Sequence, residues 1–221
     1  MPSTEDTMPT VRYEALGPTV LDRLRSEAIE HFGRFGFDQS MLEVSIALDV
    51  DVSTLSDLFG SINGLRAACD EAVLSSIRSM KTEALANEDP GTLLDQVATI
   101  DSFAPSMSYL AQALQAGDEL SHTLMRAMID DAEAYVETAV ANGTVEPSVD
   151  PKGRARFLIM NGVGGFLLYR QMHPTPTDMG AVLRDYAKDM ILPAIELYTH
   201  GLMIDANMYE VFNARGHSVG G

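Results

Sequence analysis

Cations are scarce in this chain: 15 Lys and Arg stand against 32 Asp and Glu, for a formal net charge of −17 over 221 residues. A surface that acidic opposes non-specific association with nucleic acid and with anionic membrane. Tryptophan is absent and aromatics are few, so a core must rest on Leu, Ile, Val, Ala and 13 Met. Methionine fills irregular space, and a helical protein rich in it can form a pliable apolar pocket. There is one cysteine, Cys69; it allows no intramolecular disulfide and suits a reducing cytoplasm. No apolar run reaches the length of a membrane span, and the polar, acidic opening "MPSTEDTMPT" reads as no signal peptide. A cytoplasmic protein without membrane contact is expected. The five His are scattered without metal-ligand spacing. No glycine loop suited to phosphate and no nucleophile–base arrangement is legible. The expectation is no enzyme, no metal and no cofactor.

Strand signals are also weak, whereas helix signals recur throughout, so the expected class is all-α. Residues 1–16 read as a disordered arm. A helix then begins near Pro18, with Leu21, Leu24, Ala28, Phe32 and Phe35 on one apolar face and Gly36 as a left-handed cap. "SMLE", Ser40 to Glu43, is a capping box that opens a short helix with Met41, Val44, Ser45 and Leu48 inward. After "DVDV", Asp51 is placed to cap a third helix, "VSTLSDLF", in which Leu55 and Phe59 point inward. A longer helix is expected from about Gly64 to about Asn87. Asp89-Pro90 and Ala104-Pro105 open two shorter helices, and a long one spans about Asp118 to Asn142. Asp150-Pro151 starts a helix to about Met172. Thr177 is placed to cap the next, which runs to about His200 with a kink or break at Pro193. A short helix near Asp205 to Phe212 precedes a Gly-rich tail. The expected division is an arm at 1–16, a helix-turn-helix unit at 17–62, a helical body at 63–213 and a flexible tail at 214–221.

The segment "AIEHFGRFGFDQSMLEVSIALDVDVSTLSDLFGSINGL" resembles the N-terminal domain of the tetracycline-repressor (TetR) family of bacterial transcriptional regulators. The shared marks are Phe32 and Gly36, Val44 and Ser45 in place of Ile-Ala, Val50, Thr54-Leu55, and the closing Phe59-Gly60-Ser61 followed by Leu65. The likeness covers about 40 residues and needs a one-residue deletion near Asp38. Beyond it, the body shares only architecture. The resemblance implies a ligand-responsive repressor that binds operator DNA as a homodimer.

The departures from the family pattern are electrostatic. Asp49 stands where the family commonly has Gly. Val52 and Ile62 stand where it has Lys, and Ser56 where it has Tyr. Between Gly36 and Leu65 there is no Lys or Arg, but there are five acids: Asp38, Glu43, Asp49, Asp51 and Asp57. Phosphate contacts supply most of the affinity of ordinary DNA binding. The DNA-facing residues implied are therefore Ser40, Ser53, Thr54, Ser56 and Asp57, whose carboxylate can accept from a cytosine amino group. Arg23 and Arg25 of the first helix, with Arg34 and Arg12, supply charge. The alternative is a family member that has lost DNA binding and acts by binding a small molecule or another regulator.

In the family the last two long helices form the dimer interface. Here that implies Ala155, Ile159, Gly162, Phe166 and Tyr169 on one helix and Val182 and Tyr186 on the next, with the glycines of Gly162 to Gly165 admitting a close neighbour. The family's ligand pocket lies among the middle helices. The candidates for a small apolar ligand are Phe103, Met107, Tyr109, Leu110, His122, Met125, Met128, Ile129, Tyr135, Met160 and Phe166. Most of these read equally as core residues, and His122 reads either as a polar contact for a ligand or as a solvent-exposed side chain near a helix start.

Overall fold

The computed structural model describes residues 18–86 and 90–216, and among these every regular element is a helix. The expected arm at 1–16, Arg12 within it, and residues 87–89 and 217–221 lie outside the described residues, whereas residues 214–216 of the tail expected at 214–221 belong to the last helix. The elements are α1 (Pro18–Phe35), α2 (Met41–Ala47), α3 (Val52–Phe59), α4 (Ile62–Ala86), α5 (Pro90–Ala98), a 3-10 turn (Ile100–Phe103), α6 (Ala104–Ala116), α7 (Glu119–Ala141), α8 (Pro151–Met172), α9 (Met179–His200) and α10 (Asn207–Gly216).

Local chemistry sets most of the boundaries. Gly36 takes φ +77° after α1, and its N–H donates to the Phe32 carbonyl at 2.8 Å, the left-handed stop that glycine accepts without a Cβ clash. Ser40 accepts the Glu43 N–H while its own N–H donates to the Glu43 carboxylate at 2.7 Å, a complete capping box. Asp118, Asp150 and Asp178 each accept an N–H from the first turn of α7, α8 and α9. The cap of α9 is thus Asp178, not Thr177. Asp51 stands at the N-cap of α3 but makes no side-chain cap hydrogen bond, so its carboxylate is not consumed there as expected. Pro193 sits inside α9, which continues past it to His200.

The expected apolar face of α1 is buried at Leu24, Ala28 and Phe32, but Phe35 is 57% exposed, because the helix has reached its last turn and run past the core. The main core joins Leu24, Phe32, Val44, Leu55 and Leu65 of the first four helices to Tyr109, Leu124, Met128, Ala155 and Ile159 of the body. The boundary expected between residues 62 and 63 is therefore not a gap in the packing; it falls inside the first turn of α4. A second cluster, with Ala111, Phe166, Met179, Val182 and Leu183, seats the first half of α9 on the body. The seam between α1 and α6 is close. A Cβ built on Gly33 would lie 3.0 Å from Ser108 Cβ and 3.0 Å from the Tyr109 N.

Candidate functional site

Helix α3 is held by Leu55, which is fully buried, with Leu58 and Phe59 partly buried against the same core. That anchorage turns Ser53, Ser56 and Asp57 to solvent and leaves Thr54 half-buried. The short α2 lies before it, in the helix-turn-helix order. Ser40, one of the expected DNA-facing residues, is exposed, but its hydroxyl is engaged with Glu43. The same hydrogen bonds, the Ser40 N–H first, hold the Glu43 carboxyl below the usual carboxylate range.

The charge around α3 is as one-sided in space as in sequence. Asp38, Glu43, Asp49, Asp51 and Asp57 are all exposed. The cations of α1 are each beside an acid or a ring: Arg23 bonds Glu27 at 3.0 Å, Arg25 pairs with Asp22, and the Arg34 guanidinium lies 5.3 Å from the centre of the Phe35 ring. Exposed pairs one turn apart are worth little in water, so a phosphate can displace either acid. Ser61 accepts the Gly64 N–H at 3.1 Å at the start of α4, the place where the family has a phosphate-gripping Lys and this chain has Ile62.

Behind the helix-turn-helix lies a polar network that sequence reasoning missed. Arg66 of α4 is buried, yet its guanidinium reaches both oxygens of Asp118, at 2.5 and 3.0 Å, and the Ser121 hydroxyl at 3.1 Å. It also lies 4.0 Å from the centre of the Phe37 ring, in the loop after α1. The Tyr109 hydroxyl donates to Asp70 at 2.6 Å and lies 3.2 Å from the Arg66 carbonyl. Arg66 first among several causes holds the Asp118 carboxyl well below the carboxylate range, while burial pushes Asp70 up. One charged cluster thus ties α4, α6, the start of α7 and the first loop together. No local motif announces it, because Arg66 and Asp118 are 52 residues apart in sequence. Burial likewise pushes the Cys69 thiol up to about 12 and leaves it unreactive.

The residues expected to line a ligand pocket do not share one environment. Tyr109, Leu110 and Met128 are buried in the main core and Phe166 in the second cluster. Phe103, Met107, Met125, Ile129 and Tyr135 are half-buried. His122 is exposed beside Glu119 at 3.8 Å, and Met160 is 61% exposed, so neither faces the interior of this chain. Asp131 pairs with Arg78 at 2.9 Å. Two open clefts, one of about 480 Å³ between Phe37, Arg66, Gln112 and Asp118 and one of about 190 Å³ between α1 and the end of α2, are lined by none of the eleven pocket candidates.

The expected dimer residues also divide. Ala155, Ile159, Phe166 and Val182 are buried within the chain itself, and Tyr186 packs its ring against Phe166. Tyr169 donates its hydroxyl to Asp189 at 2.7 Å. Of the set, only Gly162 is exposed, and a Cβ there would meet nothing within 4 Å. The apolar period along α8 marks the face turned to the chain's own core rather than a face free for a second copy. The opposite face carries Phe157, Met160, Leu168 and Met172, between 61% and 84% exposed.

The chain has relatives among known proteins. A family model described as the C-terminal domain of tetracycline-repressor-like proteins matches residues 101–204. The chain is 52% identical over 192 residues to the HTH-type transcriptional regulatory protein RaaS of Mycobacterium tuberculosis, covering 87% of this chain and 91% of that one. A solved TetR family transcriptional regulator, PfmR from Thermus thermophilus, is 20% identical with a TM-score of 0.49, over 83% of this chain and 97% of that one.

Proposed function

This chain belongs to the TetR family of transcriptional regulators, and from that premise we propose that it is a homodimeric repressor whose α3 reads operator DNA and whose body answers a small apolar ligand. The observation that carries the DNA reading is the exposed polar face of α3, with Ser53, Ser56 and Asp57 set outward by the buried Leu55. Serine hydroxyls contact either kind of base edge, and a carboxylate accepts from cytosine N4. Thr54, Arg23 and Arg25 complete the proposed contact set, with the two arginines leaving their acids for phosphates. Few cations means few counterions released, so binding should be modest and its salt dependence shallow.

The test is selection of duplexes from a random-sequence library by the whole protein, followed by anisotropy titration of a selected duplex at several salt concentrations. Saturable binding of a selected sequence with a shallow slope supports the reading. Absence of binding at low salt would sink it and favour a family member that works through a small molecule or another regulator, the reading that the five exposed acids support.

For the ligand, the pliable part of the body is Met107, Met125, Ile129 and Tyr135, half-buried beside the main core. Their mobile or planar side chains can part without exposing a polar group. An apolar fluorescent probe such as anilinonaphthalene sulfonate should bind the folded protein and raise its Tm. No fluorescence gain and no shift would remove the ligand from the proposal.

A further inference from the structure

Every residue from Gly201 to Phe212 is exposed. The stretch carries seven large apolar side chains, of which Leu202, Ile204 and Phe212 are 79%, 105% and 73% exposed. It includes most of α10, a helix of ten residues. A helix that short is marginal in water unless an apolar face is packed on something. The unpartnered surface continues along the second half of α9, at Leu192, Ile195 and Tyr198, and over the outer face of α8. Sixteen large apolar side chains of residues 151–212 stand exposed in this way. Together they present on the order of 1,000 Å² of apolar surface, beyond the few hundred normal for a monomer and comparable to one side of a stable interface.

Charge selects the occupant. Residues 201–212 contain Asp205 and Glu210 and no cation, so nucleic acid and anionic lipid are repelled. The start of α8 carries the opposite sign: Lys152 and Arg156 are exposed beside the exposed Phe157, in a chain with few cations. An apolar segment bearing acids and an apolar face flanked by bases are both present in one sequence, so a second copy supplies each with its complement. The match to the family's C-terminal-domain model ends at residue 204, shortly before α10 begins at Asn207.

We propose that residues 201–212 form an arm that packs on the start of α8 of a second copy, its apolar side chains over Phe157 and Met160 and its acids toward Lys152 and Arg156. The proposal rests on the homodimer reading and adds to it an exchange of arms between copies.

The experiment is sedimentation of the full chain over a concentration series, wild type against Met203→Asp with Phe212→Asp. Both side chains are exposed, so the body should keep its fold, and any loss of helicity by circular dichroism should be no more than the ten residues of α10. The expected result is a dimeric wild type and a dimer dissociation constant raised about tenfold or more in the variant. Lys152→Glu should weaken the dimer, and adding Asp205→Lys should restore part of the loss. An unchanged dissociation constant in the aspartate variant overturns the arm while leaving the dimer standing; a monomeric wild type overturns both. A disulfide between separately prepared Phe157→Cys and Phe212→Cys chains, mixed and oxidised, supports exchange. A disulfide that forms only when both substitutions share one chain overturns it, since the arm would then fold back on its own α8. The buried Cys69 does not compete in either reaction.

Discussion

Asp49 takes φ +51° and is the only non-glycine residue with positive φ among the described residues. The left-handed region costs an L side chain roughly 1–2 kcal/mol, less for Asp than for most. The family's usual glycine at this position now has a physical reason. Asp49→Gly should stabilise the fold by about 0.5–1 kcal/mol and Asp49→Val should destabilise it, each read as a Tm shift of a few degrees. Arg66 poses the opposite case, in which charge rather than backbone is constrained. Its side chain is 6% exposed, whereas that of Asp118 is 45% exposed. Removing Asp118 leaves the guanidinium buried without its acid, but water reaches the site, so Asp118→Asn should cost about 2 kcal/mol rather than the larger loss of a fully buried pair. The pH dependence has a definite sign. The Asp118 carboxyl is held below its unfolded value, so its contribution is complete above the ordinary Asp pKa of about 4 and is lost as pH falls through the lowered folded value. Denaturant titrations from pH 6 to pH 2 should show a flatter acid limb in Asp118→Asn than in the wild type; parallel limbs would contradict the assignment.

At the scale of the element, α3 and the seam behind it are the informative pieces. The helix is sound as a helix and unusual only in its electrostatics. Val52→Lys with Ile62→Lys should raise non-specific DNA affinity and steepen the slope of log affinity against log salt, by about 0.9 for each phosphate newly neutralised. Asp57→Asn should act in the same direction and less. Tight wild-type binding with a steep slope would show that another face carries the contact. The α1–α6 seam admits a separate test. Gly33→Val puts branched carbon atoms where even a Cβ lies 3.0 Å from Ser108 and Tyr109, so overpacking should cost about 1–3 kcal/mol in thermal or chemical unfolding. Loss of stability without change in helix content would place the damage at the seam rather than within α1.

For the whole molecule the central expectation is a dimer through α8 and α9, on the outward face. Leu168→Asp, at a position 63% exposed, should shift the protein toward monomer in sedimentation without lowering its helicity. Ala155→Asp and Val182→Asp should instead unfold it, because both positions are buried within the chain and an unpaired carboxylate there is costly. If Leu168→Asp leaves a dimer of undiminished affinity, the interface lies elsewhere.

The all-helical class, the capping box at Ser40, the stop at Gly36 and the acidic character of α3 were legible in the sequence, because caps, periodicity and charge act within a few residues of one another. The family resemblance was equally local, carried by about 40 contiguous residues. Which face of a helix meets which neighbour was not. The stripe Ala155, Ile159 and Phe166 has the right period for an interface and the same period for a core, and only the arrangement of α6, α7 and α9 made it core. Phe35 follows the apolar rhythm of α1 yet stands in solvent, since the core ends a turn earlier. Tyr109 reads as a pocket aromatic until Asp70 takes its hydroxyl. Arg66 and Asp118 meet only because α4 and α7 pack together. A helix's period states that it has an inside, and tertiary contact decides whether that inside belongs to the chain, to a ligand or to a second copy.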